Sequence, residues 1–151
     1  MEFDQGQTFG ITSFLMNGLG RTAMFFWKKT DTISTGRLGE AFAAEYLVRQ
    51  GYEILEKNYR RQFGEVDIVA RDQGTLVFVE VKTRHSHLYG TPVEAVDKRK
   101  QRQLSKIAQG YLLRCQLNDP TARFDVVGVT LDKNNQPAQI ELIRDAFDFA
   151  G

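Results

Sequence analysis

The sequence is poor in cysteine, in proline and in net charge, and each shortage excludes a class of protein. Cys115 is the one cysteine among 151 residues, so an intramolecular disulfide and a zinc site built from cysteines are both excluded. A formal net charge of +1 excludes a histone-like polycation, although it permits a local basic surface. With only 3 prolines and 42% hydrophobic residues, the composition favours one globular domain in a reducing, cytoplasmic compartment.

A long hydrophobic run is also missing. The nearest candidate, residues 11–27, is interrupted by Asn17 and Arg21, whereas a membrane helix needs about 20 mostly apolar residues. The chain begins with acidic residues such as Asp4 rather than with positive charge, which argues against a secretory signal. We therefore expect no membrane partner, and we interpret residues 1–33 as an N-terminal extension that is flexible, packs on the domain or pairs subunits.

Hydrophobic periodicity predicts an α/β domain over residues 34–144, followed by a C-terminal tail at 145–151. The pattern predicts a helix at 35–50, strands at 52–60, 65–71 and 75–83, a helix at 93–117, and strands at 124–131 and 139–143. This order, α-β-β-β-α-β-β, indicates a central mixed five-stranded sheet flanked by helices rather than a doubly wound nucleotide-binding fold.

The hairpin of the second and third strands concentrates charge at one end. A two-residue turn at Gln73-Gly74 sets the register so that Asp67 faces Glu80 and Glu65 faces Lys82. Because side chains alternate along a strand, these four should share one face. Two carboxylates about 5 Å apart repel each other, and a hard cation such as Mg²⁺ would offset that repulsion.

The same alternation places Val66 on the opposite, apolar face together with Ile68. The charged end has a simpler interpretation as well, because Glu-x-Lys on a strand usually marks a solvated face. Glu40, near the start of the first helix, either joins the acidic group or only stabilises the helix dipole.

Several short stretches together resemble the YraN-like family of small bacterial proteins. They are Gly36-Arg-Leu-Gly-Glu40, Asn58-Tyr-Arg60, Gly64-Glu-Val-Asp-Ile68, Val79-Glu-Val-Lys-Thr-Arg84 and Arg123-Phe-Asp-Val-Val127. That family is regarded as a group of predicted endonucleases and resembles the PD-(D/E)xK nuclease superfamily, near the archaeal Holliday junction resolvases. The resemblance implies a restriction-endonuclease-like sandwich and Mg²⁺- or Mn²⁺-dependent cleavage of DNA, with branched or damaged DNA as candidate substrates.

The resemblance also implies roles for individual residues. Asp67 takes the place of the metal-binding aspartate, and Glu80 and Lys82 take the two places of the (D/E)xK element. Glu40 resembles the helix glutamate of the resolvase branch. The implied catalytic set is therefore these four residues, with metal held by Asp67 and Glu80, and with Glu65 as a participant of second rank. Lys82 would orient a water molecule or stabilise charge in the transition state.

Seven cations are candidate contacts for nucleic acid: Arg60, Arg61, Arg84, Lys98, Arg99, Arg102 and Lys106. Those beside the hairpin bind phosphate or neutralise neighbouring acids, and those on the outer arc of the second helix bind phosphate or simply face solvent. Lys100 leans toward the sheet, where it reaches the acids as a second-rank participant or snorkels at the edge of the apolar stripe.

Three further expectations complete the analysis. Cys115 lies on the apolar stripe of the second helix and should be part of the core rather than a nucleophile. Asp125 matches the family pattern without an assigned role. DNA is the expected partner, a homodimer is compatible with the resolvase resemblance, and no small-molecule cofactor is expected. The rival function is a non-catalytic nucleic-acid-binding or adaptor module that retains the nuclease fold.

Overall fold

The computed structural model describes residues 34–85, 90–117 and 121–151, and their helices and strands follow the predicted order. The elements are α1 (Thr35–Arg49), β1 (Glu53–Arg61), β2 (Gly64–Asp72), β3 (Thr75–Arg84), α2 (Lys98–Arg114), β4 (Ala122–Leu131) and β5 (Pro137–Phe147). The predicted α-β-β-β-α-β-β order is thereby confirmed. The extension predicted at residues 1–33 lies outside the described residues.

The strands form a five-stranded sheet in the order β1-β2-β3-β4-β5. Neighbouring strands are antiparallel except for β3 and β4, which are parallel. Parallel neighbours need a long crossover connection, and α2 lies in that connection. The predicted mixed sheet is therefore confirmed, and the helical crossover carries α2 across one face of it.

Each face of the sheet has its own apolar cluster. One cluster joins Ala43 and Leu47 of α1 to alternate residues of the inner strands, and the other joins Leu104 and Ile107 of α2 to the intervening residues. Because the inner strands are buried on both faces, they read in the sequence as nearly continuous runs of valine and other apolar residues.

The helices begin and end at capping residues. In α1, Ser34 accepts a hydrogen bond from the backbone N–H of Arg37 at 3.4 Å. The predicted start of the second helix at residue 93 is wrong, because the Asp97 carboxylate caps α2 by accepting from the N–H of Lys100 at 2.7 Å. Cys115 follows the end of α2 and is exposed, so its predicted place in the core is also wrong. None of the described helices has the length and apolarity that crossing a membrane would require.

The last strand is longer than predicted. β5 runs to Phe147, whereas the apolar alternation indicated an end at residue 143. The Phe147 ring stacks on Phe124 with 4.7 Å between centroids and 13° between planes. Polar residues such as Asp145 interrupt the alternation just before this contact, which explains why the sequence pattern missed the end of the strand.

The β2–β3 hairpin has the predicted register, but its ladder is shorter than predicted. The pairs run from Asp72–Thr75 to Ile68–Val79, one step before Asp67 and Glu80 would meet. Val66 packs in the α2 cluster while Ile68 packs in the α1 cluster, so the common face predicted for these two residues is wrong. At Asp67 the pairing of β2 with β3 therefore stops, and the side chains of β2 on either side of it face opposite sides of the sheet.

Candidate metal-binding and active site

The two predicted metal-binding acids lie where the β2–β3 ladder ends. Asp67 is 9% exposed and Glu80 is 4% exposed. The Asp67 carboxylate accepts a hydrogen bond from the backbone N–H of Val81 at 2.7 Å. This bond holds the side chain between the two strands, so the opening of the hairpin leaves room for a carboxylate next to Glu80.

The environment of Asp67 disfavours its negative charge. Burial is the main cause, and the charges of Glu80 and Glu40 add to it, so that the pKa of Asp67 is raised to about 7 from an ordinary value of 3.8. The hydrogen bond from Val81 and the charge of Lys100 oppose this rise in the pKa without cancelling it. The positive charge near Asp67 therefore offsets only part of the effect of burial and of the neighbouring acids.

The two oxygens of Glu80 have different surroundings. Oε1 lies 2.9 Å from Nζ of Lys82 and 3.3 Å from Nζ of Lys100. Oε2 is buried and has no hydrogen-bond partner among the described residues. A buried oxygen left in this state costs about 1–3 kcal/mol, so this position suits a ligand that the protein itself does not supply.

α1 brings Glu40 to the same region through close contact with β3. Gly39 is buried in α1, and a Cβ atom at this position would overlap the side chain of Thr83. The missing side chain lets the helix approach the strand. Glu40 is near enough to Asp67 to raise its pKa, so the acidic group predicted from the sequence includes this residue.

Sequence reasoning missed two cations beside Asp67. A cavity of about 260 Å³ is lined by Arg37, Glu40, Lys57, Asn58 and Asp67, together with apolar neighbours. Arg37 precedes Glu40 by three residues on α1, and residues three apart share a helical face. That spacing could have predicted that Arg37 lies next to Glu40. Lys57 reaches the cavity because β1 pairs with β2, which places Lys57 opposite Ile68.

A second cavity of about 420 Å³ lies on the α2 side and is lined by Arg60, Arg61, Gly64, Glu65, Lys100 and Gln103. Glu65 is 2.8 Å from Arg60, and the β2–β3 ladder does not reach it, so the predicted pairing of Glu65 with Lys82 is wrong. Arg61 donates to the Tyr59 hydroxyl at 2.6 Å. The predicted arginines are thus brought to one edge of the acidic group.

The remaining predicted cations are spread more widely. The Arg84 guanidinium donates to the carbonyl of Gly90, and Lys98 Nζ lies 3.3 Å from the side-chain oxygen of Gln101. The other three are exposed on α2; they are Arg99, Arg102 and Lys106. The helix therefore presents a basic surface, and its binding to nucleic acid stays a prediction.

Asp125, whose role the sequence left open, is completely buried and fully paired. Its oxygens accept from the Tyr52 hydroxyl at 2.8 Å, from Nε of Arg123 at 2.9 Å and from the backbone N–H of Asp145 at 2.9 Å. These bonds join β4 to β5 and to the residue that precedes β1. Asp125 thus stabilises the sheet and is not part of the acidic group.

The fold and this cluster define a class: α/β proteins in which two buried carboxylates and two lysines meet where a sheet hairpin opens. The chain belongs to the uncharacterised protein family UPF0102, whose profile matches residues 39–129, and the YraN-like resemblance is thereby confirmed. It is 52% identical to a UPF0102 protein of Syntrophus aciditrophicus over 82% of this chain and 96% of that protein. It is 54% identical to one of Trichlorobacter lovleyi, over 78% and 92% of the two chains. For a Clostridium botulinum UPF0102 protein the identity is 44%, over 74% and 92%.

Proposed function

We propose that this protein is a divalent-metal-dependent endonuclease that hydrolyses phosphodiester bonds of DNA, with Mg²⁺ or Mn²⁺ as the metal. The observation that carries the proposal is the Oε2 atom of Glu80, which is buried next to Asp67 and has no hydrogen-bond partner in the part of the chain that the structure describes. A carboxylate oxygen in this position is an unused ligand for a hard cation. The raised pKa of Asp67 supports the same idea, because a cation would relieve the repulsion between the two acids.

The available ligands fit an open magnesium site better than a site in which the protein supplies all the ligands. No group of three histidine, cysteine or acidic side chains converges on a common point within the described part of the chain. Asp67 and Glu80 would therefore hold the metal, while water and substrate phosphate supply its other ligands, which is the usual coordination of Mg²⁺ in proteins. When bound, the metal would supply Lewis-acid polarisation of the phosphate and a lowered pKa of bound water.

The lysines of the site have a separate task. The ammonium groups of Lys82 and Lys100 both contact Glu80. Their side chains are 31% and 24% exposed, so both groups remain accessible to a ligand. Either group could donate a hydrogen bond to an attacking water or to a phosphate oxygen that gains negative charge. We assign the first role to Lys82, and we assign to Glu40 the support of the metal or the water.

The basic residues around the acids would bind the DNA backbone. Arg37 and Lys57 lie on the α1 side, and Arg61 lies on the α2 side with the exposed cations of α2. Cations on both sides of the acids would hold consecutive phosphates while one phosphodiester lies at the metal. A net charge of only +1 then suffices, because the positive charge is local.

The test is cleavage of supercoiled plasmid and of labelled linear, flapped and four-way DNA with Mg²⁺ or Mn²⁺. We expect chelator to abolish cleavage, and we expect Asp67→Asn, Glu80→Gln and Lys82→Ala each to lower the rate by at least about 100-fold. DNA binding by Lys82→Ala should largely survive. Glu45→Gln is the matched control, because Glu45 is an exposed acid of α1 that pairs with Arg49 away from the site.

Two results would contradict the proposal. Equal cleavage by the wild type and by all three site variants would assign the activity to a contaminant. DNA binding without metal-dependent cleavage on any of these substrates would favour the non-catalytic binding module instead.

A further inference from the structure

An exposed aromatic ring lies on the turn that borders the cavity on the α2 side, and neither the proposed metal site nor the phosphate contacts use it. Phe63 lies in the turn between β1 and β2 and is 55% exposed. The turn borders the 420 Å³ cavity, whose lining residue Lys100 also contacts Glu80. The ring is therefore next to the place where the substrate strand would reach the acids.

The turn that carries Phe63 is held against α2. The side-chain amide of Gln103 donates a hydrogen bond to the Phe63 carbonyl. Gly64 has φ of +132°, a conformation that residues with a side chain rarely adopt, and a Cβ atom there would displace the end of the Gln103 side chain, so the shape of the turn depends on glycine. An exposed ring on a fixed turn loses little conformational freedom on binding, which makes it a good stacking surface.

One row of α2 next to the ring carries positive charge. Arg99, Arg102, Gln103 and Lys106 follow one another at helical spacing along α2, and Lys106 Nζ lies 5.8 Å from the centre of the Phe63 ring. Arg99, Arg102 and Lys106 have no carboxylate within salt-bridge distance among the described residues. The chemistry that complements an aromatic ring next to a row of cations is a flat base on a phosphate backbone.

We propose that Phe63 is a stacking site for an unpaired nucleobase, so that the protein prefers DNA with a single-stranded segment next to a duplex. The cations of α2 would hold the phosphates of this segment, and Phe63 would hold one base out of the helical stack. The proposal rests on the proposed function for its substrate, DNA, and it adds the feature of the DNA that the protein recognises. In a fully paired duplex every base face is covered, so the ring would have nothing to stack on.

The experiment measures binding by fluorescence anisotropy with the full chain in EDTA, so that no cleavage takes place. Three DNAs share one duplex: the duplex alone, the duplex with a single-stranded flap, and the duplex with an abasic flap that keeps the phosphates but lacks the bases. We expect the normal flap to bind about tenfold more tightly than the abasic flap, which is the usual order of a single base–aromatic contact. Phe63→Leu should remove this difference, and Phe63→Trp should retain it.

Leu113→Ala is the control for loss of an exposed apolar side chain, because Leu113 is 80% exposed near the end of α2. It should bind all three DNAs as the wild type does. Equal affinity of the wild type for the normal and the abasic flap would overturn the proposal, and so would an unchanged preference in Phe63→Leu. Loss of base preference in Phe63→Leu would support stacking even if no DNA were ever cleaved, so this test and the cleavage test can fail separately.

Discussion

Glu80 and Asp125 are buried carboxylates on neighbouring strands, and the difference between them lies in how their oxygens are paired. The β3–β4 register places the two acids one step apart, and alternation puts them on opposite faces of the sheet. Asp125 accepts hydrogen bonds from Tyr52, Arg123 and the backbone of Asp145. Glu80 accepts from Lys82 and forms an ion pair with Lys100 on one oxygen only, while the other has no partner among the described residues.

The comparison separates a buried charge that stabilises the fold from one that is available to a ligand. Burial alone does not distinguish them, because both side chains are almost inaccessible to solvent. A fully paired acid gains charge-assisted hydrogen bonds, whereas an unpaired oxygen costs stability. Sites that violate the rules of packing and pairing are expected where function requires it, and Glu80 with Asp67 forms such a site.

The largest effect is expected from Asp125→Ala. Removing this carboxylate takes the acceptor away from the Tyr52 hydroxyl, from Arg123 Nε and from the Asp145 N–H, although Arg123 keeps its ion pair with Asp72. Three donors left without their acceptor should lower the free energy of unfolding by about 3–5 kcal/mol. Glu80→Gln should change it by less than about 1 kcal/mol. The ion pairs of Glu80 with the partly exposed Lys82 and Lys100 are lost, but the repulsion with Asp67 is relieved, and the wild-type Oε2 already lacks a partner among the described residues. Urea unfolding in EDTA, followed by circular dichroism, measures both values.

Tyr52→Phe provides the graded control for this comparison. It removes the hydroxyl that donates to Asp125 and that accepts from Arg123 and Arg144, while the Arg123–Asp125 bonds remain, so the expected loss is about 1–2 kcal/mol. If Glu80→Gln were as destabilising as Asp125→Ala, the distinction between the two acids would be lost and Glu80 would be a structural residue.

The next effect concerns how the stability of the metal-free protein depends on pH. Because the folded protein raises the pKa of Asp67 to about 7, it binds this proton more tightly than the unfolded chain, where the pKa is 3.8. The contribution is therefore fully present below about pH 4 and is lost as the pH rises through about 7. The loss should be roughly 4 kcal/mol in EDTA, because each unit of pKa difference corresponds to about 1.4 kcal/mol.

Asp67→Asn isolates this contribution, because it keeps an acceptor for the Val81 N–H and removes the titrating group. The difference in unfolding free energy between the variant and the wild type should grow in favour of the variant from about pH 4 to pH 8. Millimolar Mg²⁺ should reduce the difference. A difference that is independent of pH would mean that Asp67 ionises in the folded protein as readily as in the unfolded chain.

The fold was predictable because its signals are local. Valine-rich runs marked the inner strands, Gln73-Gly74 set the register of the hairpin, and the long amphipathic segment marked α2. The errors fall where a specific bond or contact overrides the apolar pattern. The local Asp97 cap starts α2 at Lys98, later than the apolar periodicity predicted, and the packing of Phe147 on Phe124 extends β5 beyond its alternating residues.

The candidate site was predictable in its members and less so in its geometry. The register brought Asp67 and Glu80 to one end of the hairpin, but it could not reveal that the ladder stops at Ile68–Val79 and that Asp67 bonds to Val81. Side-chain pairing is a three-dimensional property, so the sequence could not show that Oε2 of Glu80 lacks a partner among the described residues. The pairing of Asp125 likewise depends on Tyr52, which is 73 residues distant in sequence.

The smallest expected change in stability concerns the close contact of α1 with β3, which brings Glu40 towards Asp67 and Glu80. Two glycines of α1 provide the comparison. A Cβ atom at Gly39 would overlap the Thr83 side chain, whereas a Cβ atom at Gly36 would meet nothing within 4 Å. Gly39→Ala should therefore lower the unfolding free energy by about 1–3 kcal/mol. Gly36→Ala should raise it by up to about 1 kcal/mol, because alanine favours the helix.

Thermal unfolding of both variants measures these opposite signs, and Thr83→Ala combined with Gly39→Ala should recover part of the loss because it removes the nearest overlapping atoms. If helix displacement also moves Glu40 away from Asp67, the pH-dependent loss of stability in EDTA should become smaller in Gly39→Ala, since Glu40 contributes to the raised pKa of Asp67. Stabilisation by both alanines would mean that α1 does not depend on glycine for its contact with β3, and Glu40 would then reach the acids for another reason.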